Sequence, residues 1–238
     1  QVGAPAAGAD SRGGGGGTGR QSMASKGQSY TNARIQQRMS TQPSAPIVVA
    51  ITGATGIVYG VRLLERLREA GVGSNLVMSK WAIQTMLQET DYTVEGVKRL
   101  ATEVHSPEDF GASISSGSFV TRGMVVAPCS MRTLAAISTG SGTTLVHRAA
   151  DVVLKERRRL VLVPREAPLS DIHLEHMLRL SRMGAVIFPP VPAFYQRPES
   201  VADIVDHTVM RVLDQFGLHV DTAGRWTGRT AAPLGARG

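Results

Sequence analysis

The chain has 238 residues, 42% of them hydrophobic, 5% aromatic and 19% charged, enough for one sizeable core. No stretch approaches the ~20 unbroken apolar residues that a membrane-spanning helix needs, and the single cysteine, Cys129, excludes an internal disulfide framework and a CxxC zinc site. Of the formal net charge of +7, four units lie in residues 1–45, where Arg12, Arg20, Lys26, Arg34 and Arg38 face the lone acid Asp10; the modest excess beyond them, with few aromatics to stack bases, argues against a nucleic-acid module.

Residues 1–45 hold nine glycines, five of them consecutive from Gly13 to Gly17, and almost no apolar periodicity. Such a segment buries too little surface to offset chain entropy, so a disordered leader is expected. The chain begins with Gln, and Met39 is a candidate natural start. The acid-poor, Arg- and Ser-containing leader resembles a transit peptide, but the glycine run and the missing amphipathic pattern oppose that reading. A cytoplasmic location is expected, with mitochondrial import as the alternative.

From Pro46 onward short apolar runs alternate with helical periods, the pattern of an α/β domain around a mainly parallel sheet. The domain is expected over 46–218, with a short tail over 219–238. Ile47 to Ile51 reads as a buried strand, followed by the turn Thr52-Gly53-Ala54-Thr55-Gly56 and a helix from Ile57 to Ala70. Asn75 to Met78 is a second strand, and Ser79 can cap a helix running to about Gln88. A third strand, Met124 to Ala127, is expected to break at Pro128-Cys129-Ser130 before a helix to about Ser138. Further on come a helix over Thr144 to Glu156, a strand over Leu160 to Val163, a helix over Leu169 to Met183 and a strand over Ala185 to Phe188. The last helix starts at Ser200, with Asp203 in a capping-box position, and stops at Gly217.

Three strands thus run into small or polar residues just before a helix: Gly53 to Gly56, Ser79, and Cys129 to Thr133. In a doubly wound sheet such loops gather at the carboxyl edge, where free backbone N–H groups favour an anion, so a phosphate-bearing cofactor is expected there. The spacing is not GxGxxG and no acid closes the second strand, which favours a mononucleotide such as FMN over a dinucleotide. For any one of these loops taken alone, ordinary turn and cap chemistry is the better explanation.

A second cluster comprises Lys155, Arg165, Glu166, Tyr195 and Arg211. Arg165-Glu166 follows a buried strand and Pro164, so its charges are expected where the sheet opens. Lys155 lies in a charged run that also reads as a solvated helix end. Arg211 flanks the last helix's apolar stripe and needs an anion beside it, either Asp206 or Asp214 or a substrate phosphate. His173 and His176 lack a clear third ligand, so no metal site is expected. Cys129 at a helix start is a weighed nucleophile, although a small residue packed against a flavin fits it better.

The segments ITGATGIVYGVRLLERL, VMSKWA, ETD, ASISSGSF, APCSMRTLAAISTG, HRAADVVLKERRRLVLVPREAPLSDIHLEHM and FPPVPAFYQRPES make the chain similar, from about Ile47 to Trp226, to the UbiX flavin prenyltransferases. Members of that family build prenylated FMN for UbiD-type decarboxylases. The resemblance implies a flavodoxin-like Rossmann three-layer fold and a homododecamer whose subunits complete one another's sites. It implies that Gly53, Ala54, Thr55, Ser79, Ser130, Met131, Arg132, Thr133 and Arg165 hold FMN. Tyr195 and Arg211 would hold the phosphate of dimethylallyl monophosphate, with Lys155 and Arg148 adding charge and Trp226 shielding the site. Glu166 and Glu89 would manage protons, and Thr55, the third catalytic candidate, would set its hydroxyl on the N5 side of the flavin where close relatives often carry Ser. A flavin-dependent cysteine-decarboxylase-like enzyme and a non-catalytic FMN-binding protein are the competing readings. An allylic phosphate needs the cations of the second cluster, and a peptidyl-cysteine does not.

Overall fold

A computed structural model describes residues 45–220 and 224–225. The elements in chain order are β1 (Ile47–Ile51), α1 (Ile57–Glu69), β2 (Ser74–Met78), α2 (Lys80–Glu89), α3 (Val94–Lys98), β3 (Glu103–His105), β4 (Gly123–Cys129), α4 (Met131–Thr139), α5 (Leu145–Lys155), β5 (Arg159–Pro164), α6 (Asp171–Arg182), β6 (Val186–Ile187) and α7 (Val201–Asp214). The six strands pair in parallel in the order β3-β2-β1-β4-β5-β6. This is the expected doubly wound α/β sheet, and its order reverses between β1 and β4.

Every residue of β1 is buried, as a central parallel strand covered on both faces requires. Side-chain alternation divides the core. Val49 and Ile51 pack with α1 and α7, whereas Val48 and Ala50 pack with α4 and α5. Helix α1 presses especially close to the sheet at Gly60, where an added Cβ would lie 2.3 Å from the Ala127 carbonyl oxygen and 2.9 Å from the Ile51 side chain. Gly60→Ala gains helix propensity but forces backbone apart, so the melting temperature is expected to fall by about 4–10 °C. An unchanged melting temperature in a thermal scan would contradict this close approach.

The strand β4 begins at Gly123 and runs through Pro128 to Cys129, where a break after Ala127 was expected. Pro128 has no N–H for the ladder, and the pairing with β5 shifts register between Val126 and Cys129 instead of ending. Helix α7 stops at Asp214, three residues before Gly217; Gly217, at φ 69, closes the turn that follows. Strand β6 is confined to two residues, though the Phe188 N–H still donates to the Leu162 carbonyl. Among the described residues no helix is long and apolar enough to cross a membrane.

Candidate functional site

The carboxyl ends of β1 and β4 are joined by one hydroxyl. Thr52, buried just after β1, donates from Oγ1 to the Pro128 carbonyl at 2.8 Å and accepts the Ser130 N–H at 2.8 Å. Two loops at this edge, those after β2 and after β4, each lead into a helix with a serine cap, whereas the loop after β1 enters α1 through Gly56 without a side-chain cap. Ser79 Oγ accepts the Ala82 N–H at the start of α2, and Ser130 Oγ accepts the Thr133 N–H at the start of α4. Local cap chemistry therefore accounts for both hydroxyls. The caps also leave the remaining first-turn N–H groups of two helices directed to the same sheet edge.

Between them opens a cavity of about 750 Å³. Gly53, Ser79 and Lys80 line one side, and Ser130, Arg132 and Thr133 the other. Gly53 is required by contact: a Cβ there would lie 2.4 Å from the Trp81 Cβ. Gly142 likewise makes room for His147, whose Cβ is 2.0 Å from the position of an added methyl. Burial, helped by the Arg132 charge, pushes the His147 imidazole below its usual range, so it stands neutral in the cavity wall. The fixed charges of this wall are Lys80, Arg132 and Glu108. A volume within the ordinary 300–1,000 Å³ range, two helix N-termini, two cations and several hydroxyls fit a phosphorylated planar ligand such as FMN.

Of the residues expected at the cofactor, Gly53, Ser79, Ser130, Arg132 and Thr133 line this cavity together. Ala54 and Thr55 lie in the adjoining loop, with Thr55 exposed, and Met131 opens α4. Arg165 sits past the end of β5, near enough to Tyr59 of α1 for its charge to act on the phenol, while burial pushes that phenol above its usual range. Glu166 is exposed beside it and accepts the Ala167 N–H. Glu89 closes α2 and reaches back to the loop, where its Oε2 accepts the N–H groups of Gly56 and Ile57 at 2.8 and 3.2 Å. Its carboxylate thus caps α1.

The remaining candidates lie elsewhere. Tyr195 and Arg211 are both exposed and both neighbour His207 of α7: the Tyr195 hydroxyl is 3.4 Å from His207 Nε2 and the Arg211 charge acts on that imidazole, while Arg211 Nε is 3.3 Å from Asp214. Asp214, rather than Asp206, is therefore the carboxylate beside Arg211; Asp206 pairs with Arg62 and Arg66 of α1. Lys155, paired with Glu156, ends α5 just before β5 begins, so β5 separates it from Arg165 by roughly 17 Å of strand. Arg148 holds the Ser115 carbonyl and Asp151 on the outer face of α5. Trp226 lies outside the described residues.

Cys129 is fully buried, and burial pushes its thiol far up, which overturns the nucleophile reading. His173 completes the capping box of α6, and His176 bonds Ser138. Thr52, Lys80, Trp81 and His147 escaped the sequence reading. The strand-end position of Thr52 and the SKWA run around Lys80 and Trp81 were the available signals.

The Flavoprotein family model matches residues 35–213. A protein of Streptomyces sp. strain D7 described as a probable UbiX-like flavin prenyltransferase is 60% identical over 192 residues, covering 80% of this chain and 96% of that protein. The crystal structure of AnUbiX (PadA1) in complex with FMN and dimethylallyl pyrophosphate is 54% identical, with a TM-score of 0.78, covering 79% of this chain and all of that one. A dodecameric FMN-dependent Ubix-like decarboxylase from Escherichia coli O157:H7 is 60% identical, with a TM-score of 0.75 over 77% of this chain and all of that one.

Proposed function

Because this chain belongs to the Flavoprotein family and, within it, to the UbiX-like flavin prenyltransferases, we propose that it transfers a dimethylallyl group from dimethylallyl monophosphate to reduced FMN. The observation that carries this reading is the cavity at the strand-order reversal, where two helix N-termini, Lys80 and Arg132 converge. Bound reduced FMN would supply two nucleophilic atoms: N5, losing its proton, would displace the phosphate from C1 of the dimethylallyl group, and C6 would then bond to the alkene carbon C3, with a proton gained at C2 and one lost from C6, to close a fourth ring.

Gly53, Ala54, Thr55, Ser79, Arg165 and the turn Ser130 to Thr133 hold FMN in this reading. Tyr195, Arg211, Lys155 and Arg148 neutralise the departing phosphate, since developing negative charge is best met by cations already in place. Trp226 shields the pocket. Glu166 serves as acid and base for phosphate release and ring closure, and Glu89, anchored at the loop that carries Thr55, assists proton removal. The separation of Lys155 from Arg165 along β5 supports a site completed across a subunit contact, as in a homododecamer. The product goes to a UbiD-type decarboxylase. Residues 46–218 form the working domain, 1–45 a leader and 219–238 a tail; the protein works in the cytoplasm, with import into mitochondria as the alternative that cell fractionation separates.

The test is direct. Protein, reduced FMN and dimethylallyl monophosphate are combined without oxygen, and the flavin is weighed by mass spectrometry. A gain of one dimethylallyl group is expected, and parallel reactions with dimethylallyl diphosphate and geranyl phosphate define the donor. Bound flavin of unchanged mass with every donor would overturn the reading. Carbon dioxide released from a peptidyl-cysteine would favour the decarboxylase alternative.

A further inference from the structure

Helix α7 ends on a carboxylate with more cationic partners than its fold requires. The Asp214 side chain is only 14% exposed. Its two oxygens accept a fork of bonds from Arg225, at 3.0 Å from one terminal nitrogen and 2.9 Å from the other. His219 Nδ1 lies 3.0 Å from Oδ1, and Arg211 Nε lies 3.3 Å from Oδ2. Burial alone pushes this carboxyl up, but the Arg225 and His219 hydrogen bonds and the Arg211 charge prevail and hold it below its usual range, so it is ionised at neutral pH.

A fork-to-carboxylate pair fixes both position and plane, unlike a single surface ion pair. The Arg211 contact uses only the inner nitrogen Nε and leaves the two outer nitrogens of that guanidinium uncommitted to Asp214. Arg211 and Asp214 sit three residues apart on one helix face, so the geometry is set by the helix itself. The Arg225 fork meanwhile satisfies the carboxylate, which keeps it from claiming all of the Arg211 charge.

We propose that Asp214 is a positioning residue for prenyl transfer: one carboxylate orients Arg211 toward the donor phosphate and tethers the chain at Arg225 to the end of α7. The proposal rests on the reading of Arg211 as a phosphate ligand given above.

The test uses the full-length protein and two readouts. In Asp214→Asn the KM for dimethylallyl monophosphate is expected to rise about three- to tenfold with a fall in kcat no larger than that, because Arg211 loses its charge-assisted orientation toward the phosphate both in binding and in its departure. Trypsin should cut after Arg225 several times faster, read by mass spectrometry of the released peptide. Asp214→Glu should recover part of both effects, and Arg225→Gln added to Asp214→Asn should raise KM little further, since the two share one interaction. An unchanged or lowered KM, or unchanged cleavage at Arg225, would overturn the proposal. Wild-type protein that binds FMN yet forms no prenylated product overturns the functional reading and the orienting role together, while the trypsin comparison still decides the tether.

Discussion

Glu166→Gln is expected to bind FMN as the wild type does and to form prenylated flavin about 10²- to 10⁴-fold more slowly. The side chain is exposed beyond β5, next to Arg165, and its only described hydrogen bond is from the neighbouring Ala167 N–H, so the fold does not depend on its charge. Glutamine keeps the size and the accepting oxygen but cannot take up or release a proton at neutral pH. Phosphate departure is eased by a proton, and ring closure at C6 must lose one; in the proposed assignment the Glu166 carboxyl serves both. Anaerobic single-turnover kinetics with mass detection gives the rate, and flavin fluorescence titration gives FMN affinity. Wild-type rates would remove Glu166 from the reaction, and lost FMN affinity would make it a binding residue.

What sequence reading can reach depends on how local the cause is. The strand Ile47–Ile51, the glycine turn and the caps at Ser79 and Ser200 each rest on contacts within about four residues, and they stand where patterning put them. Edge strand β3 has only three residues, Glu-Val-His, and is held partly by the His105–Asn75 side-chain bond across to β2; no period can reveal such an element. The five-residue α3 is also too short for a period to show, although its Thr93 cap is a legible signal. Thr52 matters through partners 76 and 78 residues away, which only the closed sheet brings within reach. Arg211 had two candidate carboxylates in sequence. The structure separates them by helical phase, with Asp214 three residues on along one face and Asp206 turned toward α1. The expected meeting of Lys155 with Arg165 is not made within one chain, because α5 ends where β5 starts.

That separation leads to a sharper expectation about assembly. Lys155→Ala and Glu166→Gln should each be nearly inactive alone, yet a mixed oligomer of the two should regain activity. In a site built from Lys155 of one subunit and Glu166 of another, random mixing in equal amounts leaves about a quarter of sites with both residues intact. A site built within one chain would leave none, since every chain carries one defect. Roughly 17 Å of strand lies between the ends of β5, more than a lysine side chain spans, so the within-chain alternative also lacks a geometric route. The two variants carry different affinity tags, are co-expressed, and the oligomer holding both is purified by successive tag selection before prenylated flavin is measured. Recovery to about a quarter of wild-type turnover would show that neighbouring subunits share the site, whereas a mixed oligomer no better than its parents would exclude Lys155 from the pocket that contains Glu166.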